Sequence, residues 1–208
     1  MCGFVTVFNP RTSPNLSIKE MDQMCDLIEN RGPDNYGLFK DEHIITGCRR
    51  LSIIDLSNSA NLPFSKNNYT ISYNGEIYNY IEIREKLVNE YGIKFHTNSD
   101  TEVVLEAYIN YGPNCLTNFN GMFAFTIWDE KNKSLFVARD RLGAKPLFYS
   151  EMNGDYYFAS DIKSLWVKIN PSGLLNDSAI YNYFGQGYIS EATTSTKTIK
   201  KFPPGHHQ

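Results

Sequence analysis

Cysteine is sparse in this chain and poorly spaced for its common structural uses. The four residues are Cys2, Cys25, Cys48 and Cys115; they include no C-x-x-C pair, and no Cys/His cluster has zinc-ligand spacing. A chain of this length that opens without an export signal is not expected to rest on disulfides, so Cys25, Cys48 and Cys115 read as small buried apolar groups. Long apolar runs are also missing. Stretches such as Met122 to Trp128 are among the longest and are far too short to cross a bilayer as a helix. Charge of neither sign is concentrated: 20 Lys and Arg against 23 Asp and Glu leave a net charge of -3. There is no basic stripe for nucleic acid and no acidic block for a disordered tail. Histidine is limited to His43, His96, His206 and His207, none with a sequence-visible Cys or Asp partner that would build a papain-like site. Repeats, low-complexity segments and a clean linker are absent as well. The expectation is a cytoplasmic protein with neither a nucleic-acid nor a membrane partner.

What the chain does have is apolar mass: 41% of its 208 residues are hydrophobic, with 14 Tyr and 13 Phe, enough for one large domain or two small ones. Its first stretch carries the chemistry. A cysteine stands directly behind Met1, and cysteine is small enough for methionine removal to be expected. Once Met1 is gone, Cys2 holds both a thiol and a free α-amine, which titrates near ~7.7–8.0 in model compounds. One residue then supplies a nucleophile and its own general base. With no histidine in position, that amine is the available proton acceptor. Gly3 allows close approach of a ligand or backbone, and Phe4 to Phe8 predicts a buried strand that fixes the terminus. The plainer alternative is a small residue at a disordered start.

The remaining pattern is helical in the first half and strand-rich in the second. Ser17 and Glu20 make an S-x-x-E capping box, and Ile18, Met21, Cys25 and Ile28 fall on one helical face. Gly32-Pro33 stops that helix. Tyr36 to Phe39 and His43 to Cys48 predict a hairpin, and residues 56–68 a long loop. Tyr69 to Tyr73 is a strand. A helix from about Asn79 to Tyr91 is capped by Gly92, and a second capping box, Ser99 to Glu102, opens another that ends at Gly112-Pro113. From Gly121 onward, Met122 to Trp128, Ser134 to Ala138, Leu147 to Tyr149 and Tyr156 to Ala159 predict an antiparallel meander. Asp161 to Trp166 and Asp177 to Phe184 read as short helices.

Four positions in this framework are candidates for binding. Arg50, beside Arg49, is either a solvated surface charge or a fork for a carboxylate. Asn74-Gly75 is either a type I′ hairpin turn or a pair of N–H donors converging on one oxyanion; Glu76 and an immediate helix start argue for the second. Asp100 is either a first-turn acid favoured by the helix dipole or a group aimed at a substrate ammonium.

Met1-Cys2-Gly3, Arg31-Gly32-Pro33-Asp34, Arg50 to Asp55, Asn74 to Asn79, Ser99 to Glu102, Gly121 to Phe125, and Arg139-Asp140 through Pro146-Leu147 occur in that order. Together they resemble the glutaminase domain of glutamine-hydrolysing asparagine synthetases, N-terminal-nucleophile amidotransferases. Each motif alone is weak; the set is specific and covers nearly the whole chain. Related amidotransferases for glucosamine phosphate and phosphoribosylamine share the Cys-Gly, Asn-Gly and Ser-Asp-Thr-Glu. They differ at the Arg-Gly-Pro-Asp, Arg-Leu-Ser-Ile and Asn-Gly-Glu-Ile-Tyr-Asn stretches, which favours the asparagine synthetase branch.

The resemblance implies an α+β fold, a four-layer αββα sandwich of two antiparallel sheets, with residues 1–208 as one glutaminase domain. It implies that Cys2 attacks the side-chain amide of L-glutamine, with Asn74 and Gly75 holding the oxyanion. Arg50 would grip the α-carboxylate, Asp100 with Glu76 the α-ammonium, and the backbone around Leu51, Ser52, Ile53 and Ile54 would line the pocket. No cofactor is expected for this step. ATP and magnesium would belong to a synthetase domain, acting in cis or in trans, whose Ser-Gly-Gly-x-Asp-Ser loop is absent here. The ending at Phe202 to Gln208 resembles the middle of a connection and suggests an excised domain. A sugar or peptide acceptor for the ammonia, or a non-catalytic docking module, are the alternatives.

Overall fold

Two antiparallel sheets lie face to face, and the first strand runs through the middle of one of them. The protein was examined as a computed structural model, which describes residues 1–169, 174–190 and 193–208. The strands are β1 (Gly3–Phe8), β2 (Asn35–Lys40), β3 (Ile44–Arg50), β4 (Phe64–Lys66), β5 (Tyr69–Ile77), β6 (Gly121–Asp129), β7 (Ser134–Arg139), β8 (Phe148–Met152), β9 (Asp155–Ala159) and β10 (Lys200–Lys201). The helices are α1 (Ile18–Asp26), α2 (Tyr80–Tyr91), α3 (Asp100–Tyr111), α4 (Ile162–Ile169) and α5 (Asp177–Gln186). The first sheet has the order β10-β8-β9-β1-β3-β2 and the second β4-β5-β6-β7. Helices α1 and α4 pack on the first sheet and α3 on the second, with α2 against α3, while β1 and β3 meet β5 between the sheets. This is the expected αββα sandwich.

The largely apolar character of Phe4 to Phe8, broken only by Thr6, follows from this position. Val5 and Val7 face the helical layer with Met21, Met24 and Cys25, while Phe4 belongs to the core that includes Tyr73 and Phe125. A strand buried on both faces needs no polar alternation. The predicted capping box of α1 is present, with Glu20 N donating to Ser17 Oγ at 3.2 Å and Ser17 N to Glu20 Oε2 at 2.8 Å. Its buried face is Met21, Met24, Cys25 and Ile28; Ile18, on the flank of that arc, is 48% exposed. The expected loop at 56–68 contains a short strand, β4, paired with β5.

One further expectation changes, and one of two open readings falls away. The C-terminal meander is divided: β6 and β7 close the second sheet, whereas β8 and β9 join the first. The crossing falls at Asp140, whose carboxylate accepts from the N–H groups of Phe123, Leu142, Ala144 and Lys145 at 2.9–3.2 Å. And Asn74-Gly75 is no turn. It lies inside β5, opposite Ala124 and Phe123 of β6.

The sheets are joined by a row of buried hydroxyls. Thr46 Oγ1 donates to Val5 O at 3.0 Å and lies 2.7 Å from both Thr6 Oγ1 and Ser72 Oγ; Thr6 Oγ1 lies 2.9 Å from Thr126 Oγ1. Thr46 has one hydroxyl hydrogen for three neighbours, Val5 O, Thr6 and Ser72, so at least one of the two hydroxyls donates to it. The row fixes β5 and β6 against β1 and β3.

The start of α3 is fixed differently from expectation. Ser99 Oγ accepts from Thr101 N at 3.1 Å, but Glu102 does not close a capping box. Its carboxylate accepts instead from His96 N, from Thr97 N and Oγ1, and from Lys66 Nζ at 2.7–3.0 Å. Burial acts to raise the Glu102 pKa, but Lys66 and these donors outweigh it and hold it down to about 2. The turn at residues 96–99, and with it Asp100, is thus seated on a buried charge.

Two consequences are measurable by urea unfolding. Thr46→Val keeps the shape and strands the Thr6 and Ser72 hydroxyls, with an expected loss of about 1–3 kcal/mol; a loss below about 0.5 kcal/mol would show the row to be idle. For Glu102 the folded pKa is depressed, so its stabilisation is full above about 4.5, the ordinary value, and is lost as pH falls toward about 2. Glu102→Gln should therefore be less stable than the parent at pH 6, with the gap closing between these two values.

Candidate active site

The central position of β1 places Cys2 at the end of the inter-sheet seam, where β1, β3 and β5 converge. An open cleft of about 520 Å³ starts there, lined by Met1, Cys2, Arg50, Leu51, Ile53, Ile54, Tyr73, Asn74, Gly75, Glu76, Asp100 and Lys145 among others. Nine of the ten candidate residues from the sequence meet in it. Ser52 is the exception: its N–H turns back to donate to Asp34 Oδ2 at 2.8 Å, and its side chain is not part of the lining.

The Cys2 thiol contacts the Leu51 main chain, with Sγ 3.6 Å from Leu51 O and accepting from Leu51 N at 3.4 Å. Burial raises its pKa, and Asp100 adds to the rise, against the opposing effects of the Leu51 N–H, the chain's N-terminal ammonium and Arg50. A thiol so placed stays protonated at neutral pH and reacts only if a neighbouring group takes its proton.

Its carbonyl is held from two sides. Arg31 Nε donates to Cys2 O at 3.2 Å. The Asn74 amide, oriented so that both its ends find partners, donates from Nδ2 to Cys2 O at 3.0 Å and accepts from Arg31 Nη2 at 3.3 Å. One Nδ2 hydrogen is thereby used; the second remains for another acceptor. Beside it, Gly75 is forced by crowding: a Cβ there would lie 2.7 Å from Met122 O and 2.8 Å from the Tyr73 ring.

Arg50 is buried at 5% exposure. Its Nη1 donates to Ser57 O at 3.0 Å and Asn61 Oδ1 at 2.8 Å, and its Nη2 to Asp55 O. These use three of five guanidinium hydrogens and leave two. Opposite stands Asp100, 4% exposed, whose Oδ2 accepts from Tyr73 Oη at 2.7 Å and Ile77 N at 3.1 Å. Burial raises its pKa despite those two donors, and Glu76 pushes the same way. The cleft thus has a cationic wall on β3 and an anionic wall formed by β5 and α3, separated by the thiol and the amide donors. A zwitterion fits that polarity.

Sequence reasoning assigned no role to Arg31, Tyr73 or Lys145. Arg31 and Lys145 stood inside quoted motifs, but only the fold brings them to Cys2; Tyr73 stood only as the end of a strand. The Arg31-to-Asp34 motif also has a backbone cause. A Cβ on Gly32 would lie 2.2 Å from Arg49 O, and Asp34 N donates to Arg50 O at 3.0 Å, so the turn sits directly on the end of β3. Among the described residues, no group of three or more His, Cys, Asp and Glu side chains could hold a metal ion, and no helix is long and apolar enough to cross a membrane.

Comparison with known proteins agrees with this geometry. A family model described as a glutamine amidotransferase domain matches residues 1–208. The chain is 43% identical over 208 residues to asparagine synthetase [glutamine-hydrolyzing] 1 of Bacillus subtilis, and 34% identical over 210 residues to asparagine synthetase [glutamine-hydrolyzing] 3 of the same organism. Each alignment covers 99% of this chain but only 33% and 34% of the relatives, so the chain spans about a third of their length. The glutamine phosphoribosylpyrophosphate amidotransferase of B. subtilis has the same fold, with a TM-score of 0.65 at 19% identity over 79% of this chain and 43% of that one. The chain belongs to the glutamine amidotransferase family.

Proposed function

We propose that this chain hydrolyses L-glutamine to L-glutamate and ammonia, with Cys2 as nucleophile after removal of Met1. The observation that carries the reading is the convergence of a protonated thiol, two N–H donors and oppositely charged walls in one cleft. Glutamine enters with its α-carboxylate toward the two remaining Arg50 donors and its α-ammonium toward Asp100 and Glu76. Leu51, Ile53 and Ile54 flank its aliphatic stem.

The α-amine of Cys2 accepts the thiol proton as Sγ bonds to the side-chain amide carbon. The carbonyl electron pair moves onto oxygen, where the second Asn74 hydrogen and the Gly75 N–H receive it. Removal of one such donor typically costs ~10²–10³ in rate. The oxyanion collapses, the C–N bond breaks, and the protonated amine returns its proton to the departing nitrogen, which leaves as ammonia. Water, deprotonated by the same amine, then cleaves the thioester and frees glutamate and the thiol. Residues of this chain suffice for these steps. In the same reading, ATP and magnesium serve a synthetase portion joined in cis or in trans, aspartate takes the ammonia, and the setting is cytoplasmic.

Two experiments test this. Protein whose mature N-terminus is confirmed as Cys2 by mass spectrometry should release glutamate from glutamine, and Cys2→Ala should lose that turnover with its unfolding midpoint unchanged; residual turnover in the variant refutes the nucleophile. Asp100→Asn should raise KM for glutamine by at least about tenfold, equivalent to about 1.4 kcal/mol. An unaltered KM would return Asp100 to a helix-start role.

A further inference from the structure

The stretch from Arg139 to Pro146 was singled out in the sequence, yet the chemistry above uses none of it. Its construction has a definite outcome. The Asp140 carboxylate gathers four N–H groups, including those of Ala144 at 2.9 Å and Lys145 at 2.9 Å. From the other side Arg139 donates to Lys145 O at 2.7 Å, Gly143 O at 2.8 Å and Phe202 O at 2.6 Å. Gly143 takes the left-handed conformation at φ 65°, where a Cβ would meet the Arg139 guanidinium at 2.9 Å. A loop gathered this tightly by a guanidinium on its carbonyls and a carboxylate on its N–H groups holds Lys145 in one place. Lys145 is 3% exposed; its side chain lines the Cys2 cleft and its Nζ lies 3.3 Å from Met1 Sδ.

A buried ammonium needs a reason, because desolvation is costly. Packing cannot supply it, since Lys145 faces the cleft and contacts the one residue whose removal the mechanism requires. We propose that Lys145 is a positioning residue for the nucleophile: its ammonium, fixed in the cleft wall beside the N-terminus, keeps the Cys2 α-amine in its neutral, proton-accepting form once Met1 has left. This rests on the glutaminase reading above.

The physical case is one of balance. An α-amine near ~7.7–8.0 is mostly protonated at neutral pH, and a protonated amine cannot take the thiol proton. Glu76 on β5 and Asp100 on α3 face the same cleft and favour the protonated form. Arg50 on β3, Arg31 on the turn after α1, and Lys145 oppose it. Arg31 holds the Cys2 carbonyl and Arg50 spends three of its five hydrogens on loop 55–61; Lys145 shares the cleft lining with Cys2 and places its Nζ against the Met1 side chain. Burial draws the Lys145 pKa down while Glu76, Cys2 and Asp140 hold it up against Arg31, so these charges are coupled across the cleft.

The test is the pH dependence of kcat/KM for glutamine hydrolysis, from pH 5.5 to 9, in the processed parent, Lys145→Met and Lys145→Arg, each with its N-terminus verified and its unfolding midpoint measured. Lys145→Met should displace the acidic limb about one pH unit upward, so activity below the limb falls about tenfold while the alkaline plateau persists. Lys145→Arg should keep the parent's limb. An unmoved limb in Lys145→Met overturns the inference, as does an equal loss at every pH that Arg does not rescue, which would mark a structural role. A parent without glutaminase activity would instead sink the functional reading itself.

Discussion

The Cys2 carbonyl is where the two sheets are tied together at the site. It belongs to the residue that leads into β1 in one sheet, and it accepts from Asn74 of β5 in the other and from Arg31. Each neutral bond of this kind contributes only about 1 kcal/mol net, and a charged one about 1.5–3 kcal/mol. The constraint is geometric rather than energetic. With both bonds made, the thiol, the free Asn74 hydrogen and the Gly75 N–H share one frame, and none has to be reorganised during reaction. The buried hydroxyl row from Thr126 to Val5 secures the same seam deeper in the sandwich.

That tie explains why a raised thiol pKa is no defect. A cysteine exposed to water would ionise more readily, but it would also be open to oxidation and competing nucleophilic chemistry. Buried beside Leu51, it stays neutral, and in the mechanism proposed above the amine removes its proton at the moment of attack. The cost is dependence on the amine's own charge state, and every ionic group of the cleft bears on that: Asp100 and Glu76 from one wall, Arg50, Arg31 and Lys145 from the others.

Much of this was legible in the sequence because it is local. The apolar run from Phe4 to Phe8, with Thr6 inside it, the Ser17/Glu20 box and the αL position of Gly92 at φ 67° depend on neighbours within a few residues. What was not legible depends on distant ones. Asn74-Gly75 has the composition of a turn; it is strand because β6 pairs along it, and the glycine is there because Met122 and the Tyr73 ring leave no space for a side chain. β8 and β9 follow β7 in sequence but pair elsewhere, since the Asp140 knot turns the chain across the sandwich. Glu102 has the spacing of a capping residue, yet Lys66 of β4, 36 residues away, is the stronger partner. At the site, residue type and order singled out Cys2, Arg50, Asn74, Gly75 and Asp100, which the fold brings to one cleft, whereas Ser52 turns its N–H to Asp34 and Arg31 needed the third dimension.

Arg50 carries the last constraint. Its guanidinium holds Ser57 O, Asn61 Oδ1 and Asp55 O, so it closes the loop that forms one side of the cleft. Asp55 completes that loop by accepting from Ser57 N and Oγ and from Asn98 N, the last of these reaching the turn that seats α3. Arg50 and Asp100, the proposed seats for a carboxylate and an ammonium, are therefore linked through one loop, with Arg50 at one end and the start of α3 at the other. A carboxylate arriving at Arg50 meets a donor whose direction the loop has already set. Truncating Arg50 would remove the charge and release the loop together, so its loss cannot be equated with the binding energy of the carboxylate alone. Asp100 is separable in a way that Arg50 is not, because its supports, Tyr73 and Ile77, lie on β5 and stay in place when the carboxylate is changed.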